Sequence, residues 1–169
     1  MTSKHEILFI CTGNSGRSIL AESIVNNEYS EKLVGFSAGT LPRDEVNPEI
    51  LKYLNETGHD TSRLNPKSWE VYGSSKAHKF DIIVTVCDQA ANEACPVWPG
   101  NPTSCHWGVP DPTKIEDKVI RLAAIHHTYK NFQKKIVLLS SLSIGDLDAI
   151  TLKEKLSKIA KDTELSFIG

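Results

Sequence analysis

The 169-residue chain lacks a surplus of charge of either sign and lacks any long apolar run. It carries 19 basic and 21 acidic residues, a net charge of −2, which disfavours nucleic acid or an anionic membrane as a partner. No window approaches the ~18 apolar residues needed to span a bilayer, and the N-terminal residues show no export signal. These absences predict a soluble, cytoplasmic protein.

Repeats, low-complexity tracts and linkers are also absent. The length suits one domain and is sufficient to bury a core, so we expect residues 1–169 to form a single domain. Without an export signal, four cysteines in a chain of this length indicate reactive or metal-binding thiols rather than a disulfide scaffold.

Apolar periodicity predicts strands that alternate with helices. Strands are predicted at residues 7–10, 33–37, 80–86 and 104–107, and helices at 17–27, 48–57, 68–72 and 117–142. A last helix is expected to open at the capping-box pattern Thr151-Leu152-Lys153-Glu154. The helix over 117–142 is expected to bury Val119, Leu122, Ile125, Tyr129, Phe132, Ile136 and Leu139. The alternation implies a doubly wound parallel α/β sheet that binds ligands at the carboxyl ends of its strands.

The first predicted strand leads into a segment termed here the anion loop, which comprises Cys11, Thr12, Gly13, Asn14, Ser15, Gly16, Arg17 and Ser18. Its small residues let backbone N–H groups turn inward, and the following helix dipole favours both a tetrahedral anion and a thiolate. Arg17 offers a planar fork for two oxyanion oxygens, and Ser18 can donate to the sulfur. The Gly-Lys-Ser/Thr end of a Walker loop is missing, which disfavours nucleotide binding. Cys11 is therefore predicted to be a nucleophile in an oxyanion site rather than a buried apolar residue.

Cys87 and Cys95 form a second candidate constellation, because Cys87 follows the predicted strand at 80–86. Their spacing is too long for a zinc knuckle, although Cys87, Cys95, Cys105 and His106 are ligand types that leave a metal site open. A thiol relay is the favoured interpretation, since it needs one cysteine near the nucleophile and a second on a flexible connection. Cys105 is expected to face the core.

Asp111 lies between Pro110 and Pro112, and two interpretations of it stay open. Pro-Asp-Pro is a rigid turn. Alternatively, the Asp111 carboxyl is a general acid that protonates an oxygen leaving a tetrahedral oxyanion attacked by Cys11.

Taken together, the anion loop, the segment 87–95 and the run His106-Trp107-Gly108-Val109-Pro110-Asp111-Pro112 resemble the arsenate reductases built on the low-molecular-weight protein tyrosine phosphatase fold. The Cys-x5-Arg-Ser loop is shared with the phosphatases, whereas the Cys87/Cys95 pair and the His-Trp-Gly run favour the reductases. The resemblance implies a four-stranded parallel sheet in the order 2-1-3-4, flanked by helices.

The resemblance also implies a reaction. Cys11 would attack arsenate, with which phosphate or sulfate would compete, and Asp111 would protonate the departing oxygen. Cys87 would then attack Cys11 and release arsenite, and Cys95 would resolve the disulfide to form Cys87–Cys95. Thioredoxin would reduce that bond, with glutaredoxin as the alternative donor.

The same resemblance implies no tightly bound cofactor. Some similar proteins bind potassium near the anion loop, and Asn14, Glu22 and Ser37 match that arrangement, but no further acidic ligand aligns around residues 68–70.

Two other functions remain open. One is a low-molecular-weight tyrosine phosphatase that forms a phosphocysteine at Cys11, or a reductase with weak phosphatase activity. Thr113 weakens this alternative, because such phosphatases usually place an aromatic residue at that position. The other is a non-catalytic oxyanion or redox sensor.

Overall fold

The fold, a computed structural model that describes residues 3–73, 78–92 and 98–165, is built on four parallel strands. These are β1 His5–Cys11, β2 Leu33–Gly39, β3 Ile82–Thr85 and β4 Thr103–His106. The sheet order is β2-β1-β3-β4, which confirms the predicted α/β class and the predicted order. In the register, Ile10 lies opposite Ala38 on one side and Thr85 on the other.

Six helices and two 3₁₀ turns connect or follow the strands in the described part of the chain. The helices are α1 Arg17–Glu28, α2 Pro48–Glu56, α3 Glu70–Gly73, α4 Asp88–Ala91, α5 Lys118–Ser140 and α6 Ala149–Asp162; the turns are Pro112–Lys114 and Ile144–Asp146. The start of α2 is as predicted, since the Asn47 side chain accepts from two backbone N–H groups and Pro48 occupies the first position. Over the described residues, no helix combines the length and the apolar character required to cross a membrane.

The core lies on both faces of the sheet. Ile7 through Ile10 of β1 are fully buried, as expected for a central parallel strand that helices cover on both sides. Leu20 and Ile24 of α1 and Phe132 of α5 are also fully buried. This packing holds the carboxyl ends of β1 and β3 side by side.

The predicted burial along α5 is wrong at its amino end. Val119 is 77% exposed and Leu122 is 42% exposed, whereas the later positions of the predicted stripe are buried: Ile125, Tyr129, Phe132, Ile136 and Leu139. The 23 residues of α5 span about 35 Å, while the seven residues of β1 span only about 23 Å. The helix is longer than the strands, and both exposed positions lie in its first two turns.

The predicted start of the last helix is also corrected. The helix α6 begins at Ala149, before the capping-box pattern, because the Asp148 side chain accepts a hydrogen bond from Thr151 N at 2.7 Å. The helix packs on β4, and Trp107 Nε1 donates to the Leu156 carbonyl at 3.0 Å. The residues that follow β4 are thereby fixed against α6.

Candidate active site

The anion loop begins at the carboxyl end of β1, where Cys11 is the last strand residue. The end of β2 approaches it closely, since Thr40 N donates to Cys11 O at 3.1 Å. A side chain on Gly39 would place its Cβ 2.5 Å from Thr12 O, so this position requires glycine. On the other side, Val86 N donates to Ile10 O at 2.9 Å, which brings Cys87 to the same edge of the sheet.

Two donors face the sulfur of Cys11, whose side chain is buried. Asn14 N lies 3.2 Å from Cys11 Sγ, and Ser18 Oγ lies 2.9 Å from it. Asn14 Nδ2 donates to Ser18 Oγ at 2.8 Å, so the Ser18 hydroxyl proton is directed at the sulfur. Hydrogen bonds of this kind stabilise a thiolate. The predicted contact between Ser18 and Cys11 is present.

Asn14 holds the loop in shape. It is fully buried and adopts the left-handed conformation with φ of 48°, which asparagine tolerates better than most residues. Its Oδ1 accepts from Lys67 N at 2.9 Å, and its Nδ2 also donates to Ser37 Oγ at 2.9 Å. Ser37 in turn donates to Glu22, and burial raises the pKa of that carboxyl.

The potassium ion that some similar proteins bind does not fit these residues. The Asn14 amide turns its N–H group toward Ser37, and the Ser37 hydroxyl donates its proton to Glu22. The Lys67 ammonium already acts on Glu22, lowering its pKa against the larger effect of burial. In the stretch where a further acidic ligand would be needed, the side chain of Glu70 is exposed.

Arg17 is held at the mouth of the loop by one hydrogen bond and one ion pair. Its Nη1 donates to Val109 O at 2.9 Å, and its Nη2 lies 3.6 Å from Asp111 Oδ2. The other carboxylate oxygen, Asp111 Oδ1, accepts from Thr113 N at 2.9 Å and from Thr113 Oγ1 at 2.7 Å. Asp111 therefore caps the 3₁₀ turn, as the turn interpretation predicts, and also faces the oxyanion anchor, as a general acid must.

Cys87 is buried at the end of β3. Its sulfur lies 3.3 Å from Thr12 Oγ1 and accepts from Ala90 N at 3.4 Å. The second thiol is thus in contact with the anion loop. Cys95 lies outside the described residues, so its predicted approach to Cys87 has no structural account here.

Cys105 faces the core from β4, as predicted, and burial raises the pKa of its thiol to about 12. Within residues 3–73, 78–92 and 98–165, no three histidine, cysteine or acidic side chains group so that they could hold a metal ion. The alternative metal site also required Cys95, which is not among those residues.

The anion loop opens into a cleft of about 1030 Å³. Beside the loop residues, it is lined by Leu41, Pro42, Arg43, Glu45, Val46, Asn47, Pro48, Cys87, Asp88, Gln89, Asp111, Thr113 and Lys114. The sequence did not point to Arg43, whose side chain lies over Gly13, or to the backbone carbonyl of Val109. Arg43 follows β2 at the ligand-binding edge of the sheet, and this position could have marked it as a candidate site residue. A backbone carbonyl that accepts a hydrogen bond leaves no signal in the sequence.

Residues 6–141 match the family described as low molecular weight phosphotyrosine protein phosphatase. A curated relative, the arsenate reductase of Brevibacillus brevis, is 37% identical over 121 residues, which cover 69% of this chain and 83% of that protein. The matched region ends before α6.

Two solved structures share the fold. The thioredoxin-dependent arsenate reductase of Corynebacterium glutamicum is 26% identical with a TM-score of 0.50, and the match covers 78% of this chain and 63% of that one. The YwlE arginine phosphatase of Geobacillus stearothermophilus has a TM-score of 0.64 over 85% of this chain and 98% of its own, at 16% identity. The second likeness concerns the fold alone.

Proposed function

The chain belongs to the low molecular weight phosphotyrosine protein phosphatase family, and we propose that it reduces arsenate to arsenite with its own cysteine thiols. One observation carries this proposal: a second buried thiol, Cys87, contacts the loop that presents the nucleophile Cys11, through Thr12 Oγ1 at 3.3 Å. Hydrolysis of a phosphate ester needs no second thiol, whereas reduction of an oxyanion does. The Brevibacillus brevis relative that bears the name arsenate reductase supports the same assignment.

In the first step, the Cys11 thiolate attacks the arsenic atom of arsenate, and an As–S bond forms. Asp111 protonates the oxygen that departs as water, while Arg17 binds the remaining oxygens with its fork. The donors Asn14 N and Ser18 Oγ face the attacking sulfur. The other residues of the anion loop, Thr12, Gly13, Ser15 and Gly16, line the anion site.

In the second step, the Cys87 thiolate attacks the Cys11 sulfur. A Cys11–Cys87 disulfide forms, and the electron pair of the As–S bond passes to arsenic, which leaves as arsenite in the reduced state. The Thr12 contact supports this step because Cys87 touches the loop that carries Cys11. The two sulfurs together supply both electrons, so the reaction requires no bound cofactor.

In the third step, Cys95 attacks the Cys87 sulfur, which frees Cys11 and moves the disulfide to Cys87–Cys95. The dithiol of a thioredoxin then reduces that bond, with a glutaredoxin as the alternative donor. The thioredoxin-dependent Corynebacterium glutamicum reductase supports the first choice. A cycle that must return to free thiols suits a reducing compartment such as the cytoplasm.

Phosphate-ester hydrolysis is the second candidate, because Cys11, Arg17 and Asp111 are also the groups that a phosphocysteine mechanism needs. None of the described residues that line the cleft is aromatic, and Thr113 follows Asp111-Pro112. The cleft therefore offers no ring to stack on a phosphotyrosine side chain. We expect hydrolysis to be weak.

A paired assay tests the proposal. NADPH consumption is followed with thioredoxin and thioredoxin reductase, with and without arsenate, beside hydrolysis of p-nitrophenyl phosphate. We expect arsenate-dependent NADPH consumption that Cys87→Ser abolishes and the matched variant Cys105→Ala retains. Hydrolysis without any arsenate-dependent NADPH consumption would favour the phosphatase instead.

A further inference from the structure

A chain of hydrogen bonds joins the ends of β3 and β4 to the start of α4. His106 lies opposite Thr85 in the parallel register, and its Nδ1 is 2.8 Å from Thr85 Oγ1. On the other side of the ring, His106 Nε2 is 2.9 Å from Asp88 Oδ1. Because the carboxylate can only accept, Nε2 carries the proton in this pair. The proposed chemistry uses neither His106 nor Asp88.

The backbone makes room for this pair at Gly108. A Cβ on Gly108 would lie 2.7 Å from His106 Nε2 and 3.4 Å from Asp88 Oδ1. Any side chain there would push the imidazole away from the carboxylate. The absence of a side chain at position 108 is therefore a second, independent sign that the local sequence accommodates the contact.

Asp88 is the first residue of α4 and directly follows Cys87. In the single turn of α4, Ala91 N donates to Cys87 O, and Asn92 N is shared between Asp88 O and Gln89 O, all at 3.2 Å. The Cys87 sulfur accepts from Ala90 N in the same turn. A tie on the Asp88 side chain therefore restrains the turn that orients the second thiol.

We propose that His106 is a positioning residue that, through Asp88, holds the first turn of α4 and so keeps Cys87 oriented toward the Cys11 adduct. This inference rests on the proposed relay. The Asp88 side chain is 93% exposed, so its pair with His106 contributes as much as a surface ion pair does. We expect the pair to change the rate of arsenite release by about twofold to fivefold.

The test compares His106→Gln, His106→Asn and Gly108→Ala in the full chain carrying Cys95→Ser, in which the relay stops after one arsenite. A glutamine amide can replace the Nε2 donor and preserve the Asp88 contact, whereas an asparagine amide reaches only Thr85. His127→Gln, at an exposed position of α5, is the matched control.

Two readouts are taken. The first is the rate of arsenite release after one addition of arsenate, and the second is amide hydrogen exchange at Ala91 and Asn92, which needs no arsenate. We expect His106→Asn and Gly108→Ala to slow release and to speed exchange, each by about twofold to fivefold. His106→Gln and His127→Gln should stay near the parent. Bound phosphate should protect Cys11 from alkylation equally well in all of these variants.

Several results would overturn the role of His106. Unchanged amide exchange in His106→Asn would show that the pair does not restrain α4. Faster amide exchange with an unchanged rate of arsenite release would show that the pair is a structural contact only. Rescue by asparagine but not by glutamine assigns the effect to Thr85 alone. If the parent itself releases no arsenite, the proposed function fails, and the exchange data still decide whether the pair restrains α4.

Discussion

The hydroxyl of Thr12 lies 3.3 Å from the sulfur of Cys87, although the two residues are 75 positions apart in the chain. Thr12 belongs to the loop that presents Cys11, and Cys87 lies two residues beyond the end of the neighbouring strand β3. This contact brings a second thiol to the oxyanion site. It favours reduction over phosphate-ester hydrolysis, because hydrolysis needs no second thiol.

Replacing Arg17 by lysine should lower kcat/KM for arsenate by about 10² to 10³, since a preorganised charged donor is lost. Lysine keeps the positive charge but has no fork to bind two oxygens at once. It also cannot reproduce the bond to Val109 O that holds the guanidinium in place. The coupled NADPH assay measures the effect, and circular dichroism checks the fold. An unchanged kcat/KM would remove Arg17 from its role as anchor.

Asp111→Asn separates the two interpretations of that residue. Asparagine can still accept from Thr113 N and preserve the 3₁₀ turn, but it has no carboxyl proton to give. We expect the chemical step to slow by about 10² to 10⁴ without a fall in melting temperature. Unchanged kinetics would show that Asp111 stabilises the turn and is not a general acid.

Cys87→Ser and Cys95→Ser should fail differently. Without Cys87 the Cys11 adduct has no attacking thiol, so arsenite should not be released. Without Cys95 one arsenite should be released, after which the chain stalls as a Cys11–Cys87 disulfide that thioredoxin reduces poorly. Mass mapping of disulfides distinguishes the two states. Steady multiple turnovers in Cys95→Ser, or Cys105 in the trapped bond, would contradict this order.

Cys105 should be inert. Burial raises the pKa of its thiol to about 12, above the ordinary value of about 8.5, so it stays protonated at pH values where an ordinary thiol ionises. Between about pH 7 and 9, iodoacetamide should label Cys105 far more slowly than Cys11 in the folded chain. Peptide mass spectrometry gives both rates. Comparable labelling of the two residues would show that Cys105 is not held in the core.

The features that could be predicted from the sequence are local ones. The apolar runs gave the strands, and the anion loop could be recognised because Cys11, Arg17 and Ser18 lie within eight residues of one another. The bond between Arg17 and Val109 O spans 92 positions and depends on sheet register and on the path of the loop after β4. No sequence pattern contains that information.

The errors in the helices have the same origin. The periodicity of α5 correctly marked one apolar stripe, but it could not show which turns of the helix are covered by a neighbouring element, and Val119 is exposed. The pair of His106 and Asp88 was missed because its members are 18 positions apart and meet only when β4 lies beside β3.

The most direct test of the account is a single addition of arsenate to the fully reduced chain with no external reductant present. Arsenite is quantified, and the disulfides are then mapped by mass spectrometry. The account predicts one arsenite per chain, a Cys87–Cys95 disulfide, and free thiols at Cys11 and Cys105. An absence of arsenite with all four thiols still free would contradict it.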